Sequence, residues 1–116
     1  MANFDDLSRF ALALPEVELT DHFGGPELKV RGKTFALLWA ETGRTILRLT
    51  RPHQELLFEA RPEVFQPCKV ATVHWAYVDL EQIDQAEMEA LALEAWEAIA
   101  PKSVRVKRIS VDRTVR

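Results

Sequence analysis

The chain has 116 residues, 15 Lys plus Arg against 18 Asp plus Glu for a formal charge of -3, 47% apolar residues and one cysteine. Domains commonly hold roughly 100 to 150 residues, so this length fits one domain with its own core and excludes a second. A lone Cys68 excludes an internal disulfide, and no paired Cys/His spacing suits structural zinc. No apolar run approaches the roughly 18 residues of a membrane span, and the acidic start Met-Ala-Asn-Phe-Asp-Asp is unlike a signal peptide. The expected setting is cytoplasmic, with no cofactor, metal or membrane partner.

Phe4, Leu7, Phe10, Ala11 and Leu14 recur at spacings of three and four, which predicts a first helix capped by Asn3, favoured at its start by Asp5 and Asp6, and stopped by Pro15. From Val17 to Thr50, short apolar runs rich in β-formers are separated by glycines. Strands are expected near 17–22, 27–31, 33–39 and 44–49. Gly24-Gly25-Pro26 and Glu41-Thr42-Gly43-Arg44 are turn chemistry, and Arg31-Gly32 suits a tight hairpin.

Pro52 suits the first turn of a short helix carrying Leu56, Leu57 and Ala60 and ended by Pro62. Residues 63–80 read as strand, closing in Trp75-Ala76-Tyr77-Val78-Asp79-Leu80. Asp84, with Glu87 reaching back, opens a long helix whose apolar face is Met88, Leu91, Ala92, Ala95, Trp96 and Ile99, and Pro101 ends it. Beyond it, Val104-Arg105-Val106-Lys107 alternates. The expected organisation is one domain over 1–102 and a basic C-terminal tail or added strand over 103–116. Helices flanking an antiparallel meander point to an α+β two-layer sandwich whose second sheet face is left open.

Gly32-Lys33-Thr34 looks like the end of a phosphate-binding loop, yet six residues rather than four separate it from Gly25, and a hairpin rather than a helix follows. His22, His53 and His74 are too far apart for a local metal pair. Asp21-His22 resembles a fragment of an acid–base pair, against the simpler reading of a hydrogen-bonded histidine at a strand end. Cys68 reads as a small apolar residue. Trp96 reads as core, and Trp39 and Trp75 as core or as partly exposed binding surface.

Charge is unevenly placed. Residues 29–51 carry a net +5 and residues 102–116 another +5, whereas 81–97 carry -6. Lys29, Arg31 and Lys33 are two apart, so a strand continuing through all three would project them to one face. A local positive surface attracts phosphates whatever the total charge, against the plainer reading of a solvated edge and tail.

Leu14-Pro15-Glu16, Asp21-His22-Phe23-Gly24 with Pro26, Lys29-Val30-Arg31-Gly32-Lys33-Thr34-Phe35-Ala36 and Trp75-Ala76-Tyr77-Val78-Asp79-Leu80 together resemble the MmcQ/YjbR family of small bacterial proteins, from the first helix through Pro101-Lys102. The resemblance implies a secretion-chaperone-like fold ordered α-β(3)-α-β(2)-α, in which one of the four early strands would be a turn. It also implies DNA binding through a double-wing arrangement of hairpins. The chain has Ala95-Trp96 where many relatives have Ser-Tyr, and it adds the basic tail. Lys29, Arg31 and Lys33 match the family segment, while Arg44 and Arg48 are added on charge alone. No catalytic residues are implied, so the expected function is a non-enzymatic DNA-binding protein with little sequence readout. The alternatives are a protein-interaction or chaperone-like dimer using the open sheet face, and, with least support, a small-molecule site near His22.

Overall fold

The computed structural model describes residues 2–22, 25–39, 42–68 and 75–107. Helix α1 (Phe4–Leu12) begins where the sequence places it. Asn3 accepts from the Asp6 amide, and the Asp6 carboxylate takes the Asn3 amide in return, a complete capping box. Strands β1 (Val17–His22), β2 (Gly25–Val30), β3 (Lys33–Trp39) and β4 (Arg44–Arg48) follow, then α2 (Arg51–Ala60), β5 (Phe65–Pro67), β6 (Trp75–Val78), a 3-10 turn at Leu80–Gln82, and α3 (Gln85–Ile99).

The α+β sandwich is as expected, with one change of count. All four early segments are strands, so the three-strand group implied by the resemblance gains a member: β1 pairs along its whole length with β2, from Val17 opposite Val30 to His22 opposite Gly25. The strands form one six-stranded antiparallel sheet in the order β1-β2-β3-β4-β6-β5. Within 63–80 only 65–67 and 75–78 are strand among the described residues, while 69–74 lie outside them.

Arg31-Gly32 forms the two-residue β2–β3 turn, both residues at positive φ (49° and 83°), the twist that matches the flanking strands. A bulge follows, where Leu28 and Lys29 face Ala36 and Thr34 and leave Phe35 as the extra residue. Phe35 and Ala36 are consecutive, yet both are fully buried in the core, which strict alternation would forbid.

One sheet face carries Leu28, Val30, Ala36, Leu47, Ala76 and Val78, packed with Leu7 and Ala11 of α1 and Met88, Leu91, Ala92, Ala95 and Trp96 of α3. The Trp96 indole N–H donates to the Pro15 carbonyl at 3.2 Å, tying α3 to the α1–β1 connection. Asp84 caps α3 through the Glu87 amide, but the Glu87 carboxylate does not complete the expected box. It pairs with Arg61 at the end of α2 instead.

Residues 102–107 are helical, so the added-strand reading fails over this part. The amides of Val104 and Arg105 return to the Pro101 carbonyl, and Pro101 suits a first turn. Two valines two apart lie on opposite sides of a helix, and accordingly Val104 is fully buried while Val106 is exposed. Residues 108–116 lie outside the described residues.

Candidate functional site

The sheet face opposite the helices is read from β4, the strand at its centre. Arg44, Ile46 and Arg48 alternate with the inward Thr45 and Leu47 and so share the outer face. Register fixes their neighbours. Arg44 lies opposite Trp39, Ile46 lies between Leu37 and Tyr77, and Arg48 lies opposite Trp75. Glu27, opposite Leu37, and Lys29 two residues further extend the face onto β2. Among the described residues no helix packs on this face, and Trp39, Trp75, Arg44 and Arg48 are half-buried.

The two arginines of β4 are held differently. The Arg44 guanidinium stacks on Tyr77, its Cζ 3.7 Å from the ring centroid, and donates to Gln66 on β5. Both partners are neutral, so the positive charge stays available. Arg48 has no ion-pair partner among the described residues. Burial pushes the Tyr77 hydroxyl above its ordinary value of 10 and the Cys68 thiol beside it adds to the rise, while Arg44 pulls it down. The buried Glu27 carboxylate accepts from the Thr34 hydroxyl at 2.7 Å and has the Lys29 ammonium 3.8 Å away, so Lys29 brings less free charge than its number suggests.

Lys29, Arg31 and Lys33 do not form the single row that their spacing suggests. The strand stops at Val30 and Arg31 occupies the turn, so Lys33 opens the next strand and the period of two does not carry across. Arg31 instead reaches Glu16, with Nε–H to Oε1 at 2.8 Å and Nη2–H to Oε2 at 3.2 Å. Lys107 donates to the same carboxylate. The β2–β3 turn and the C-terminal helical turn thus meet on one acid, whose pKa falls to about 2 because Arg31 and then Lys107 hydrogen-bond its charged form.

On the helical side, His53 Nδ1 lies 2.7 Å from Glu94 Oε1, and together with Arg61–Glu87 it bridges α2 to α3. Neither pair was visible in the sequence, since the partners are 41 and 26 residues apart. A cleft of about 360 Å³ opens at one end of the sheet between Asn3, Arg44, Glu63, Asp79 and Glu81. Gly32-Lys33-Thr34 is a hairpin, which excludes the phosphate-loop reading. The His22 side chain lies outside the described residues. Among the described residues no group of three or more His, Cys, Asp or Glu side chains is placed to hold a metal ion, and no helix is long and apolar enough to cross a membrane.

The fold is shared with the crystal structure of the Deinococcus radiodurans protein DR2400, a DUF419-domain protein. The TM-score is 0.79 at 21% identity, covering 92% of this chain and 88% of that one. No curated protein matches the chain. The YjbR family model matches residues 12–98, a span that takes in the Leu14-Pro15-Glu16 connection, the whole sheet and nearly all of α3. The chain belongs to the YjbR family.

Proposed function

We propose that the protein is a non-enzymatic DNA-binding module whose open sheet face meets phosphates electrostatically, with little base readout. The observation that carries this is the pair Arg44 and Arg48, on the same face of β4 two outward positions apart, with no acid ion-paired to either among the described residues. Four of the six acids of 81–97, Glu87, Glu89, Glu94 and Glu97, lie on α3 in the opposite layer, so the net charge of -3 does not describe the outer sheet face. The site therefore shifts from the β2–β3 hairpin tip, where Arg31 is occupied by Glu16, to β4.

Affinity for DNA should fall steeply with salt, and Arg44→Gln/Arg48→Gln should flatten the slope of log K against log salt by about 2. No binding at about 50 mM salt, or an unchanged slope, overturns the reading.

The row Leu37, Ile46 and Tyr77 between the arginines favours a second reading, a protein-interaction or chaperone-like dimer face. A dimer that dissociates on Leu37→Glu supports it, and a monomer at all concentrations removes it.

A further inference from the structure

We propose that the nucleic acid taken by this face is single-stranded, with bases stacked on Trp39 and Trp75 and phosphates on Arg44 and Arg48; this rests on the phosphate-binding reading above. The first ground is shape. Six strands about 4.8 Å apart make a surface roughly 24 Å across, too broad for a duplex major groove about 12 Å wide. A hairpin tip is narrow enough to enter a groove, but the arginine of the β2–β3 tip is held by Glu16. A broad sheet face suits a strand laid across it.

The second ground is the cross-strand pattern. Each β4 arginine faces a tryptophan, Arg44 with Trp39 on one side and Arg48 with Trp75 on the other. The arginines, four residues apart on one strand, are separated by roughly 14 Å, and the tryptophans, two strands and two rows apart, by roughly 17 Å. That places aromatic surface at opposite corners of a patch in which the two cations flank the apolar row of Leu37, Ile46 and Tyr77. A duplex keeps its bases stacked inside and offers nothing to an indole face, whereas an unpaired strand offers a base to each. Trp96 shows what a structural tryptophan looks like in this fold: it is 1% exposed and its N–H is hydrogen-bonded, while Trp39 and Trp75 stay half-buried on the uncovered face.

The test measures anisotropy of a labelled oligothymidine and of a duplex of equal length against the full chain. The single strand should bind more tightly. Trp39→Leu and Trp75→Leu, which keep apolar bulk but remove the stacking surface, should each weaken it about tenfold, while Trp→Phe at either site retains most of the affinity. Far-UV circular dichroism confirms that each variant is folded, and the Phe variants serve where a Leu variant is not. Equal or tighter binding of the duplex, with the Leu variants silent and the arginine variants weakened, overturns the single-strand inference and leaves the phosphate reading standing. Loss of neither ligand in the arginine variants, or no binding of either ligand, overturns both.

Discussion

Glu16 and Arg31, both in left-handed backbone at φ 58° and 49°, face each other through two hydrogen bonds of 2.8 and 3.2 Å. Neither residue type favours that conformation, so the surrounding structure must hold it. Here Glu16 ends the α1–β1 connection while Arg31 sits in the β2–β3 turn, and β1 pairs with β2 so that the residues next to them, Val17 and Val30, are register partners. The bridge closes the end of that ladder, and Lys107 brings the C-terminal helical turn to the same carboxylate.

That geometry sets an acid dependence. The folded pKa of Glu16, about 2, lies below its ordinary 4.5, so the native state binds this proton less readily than the unfolded chain. The resulting stabilisation is complete above about 4.5 and is lost as pH falls through about 2. Denaturant midpoints measured between those limits should fall with pH in the parent, and Glu16→Gln should lose that component while Glu55→Gln keeps it.

The turn itself predicts a conformational cost without a steric one. Gly32 has φ 83° and nothing within 4 Å of where a Cβ would stand. Gly32→Ala should therefore destabilise by about 1 kcal/mol in urea melts through backbone strain alone. A cost near zero would mean that the turn relaxes to another type.

What the sequence made legible follows from the range of the interactions. Asn3, Asp84, Pro52 and the Arg31-Gly32 turn act within four residues, and each does what its chemistry suggests. Glu16 escaped because its partners are 15 and 91 residues away. The Lys29, Arg31, Lys33 row failed for a local reason: its spacing ran through a turn that the glycine already marked. The bulge at Phe35 and the helical turn at 102–107 are set by core packing, which alternation in the sequence does not report. On β4, Arg44 and Arg48 were found by charge, but their placement beside Trp39 and Trp75 appears only once register is known.

Trp96 is where two layers are joined, by burial and by its bond to the Pro15 carbonyl. Trp96→Phe removes the donor and leaves a gap in the core, and should cost about 2–3 kcal/mol in a denaturant melt. Loss confined to a few tenths would show that the α1–β1 connection is held without the indole.

Tyr77 reports on the outer face. Since Arg44 lowers its pKa and Cys68 raises it, Arg44→Leu should move the phenol titration upward and Cys68→Ala downward, read by absorbance near 295 nm. Shifts in the opposite sense would contradict the stacked geometry.

Arg31 and Arg48 separate the two places where phosphate could be met. Arg31→Gln breaks the bridge to Glu16, so its effect should fall on stability and on the acid dependence, with DNA affinity at fixed salt changed by less than about twofold. Arg48→Gln breaks no ion pair among the described residues, so stability should stay within about 0.5 kcal/mol while the salt slope drops by roughly 1. The reverse pattern would return the contact to the hairpin tip, because an arginine that leaves Glu16 for a phosphate would show its loss in binding rather than in folding.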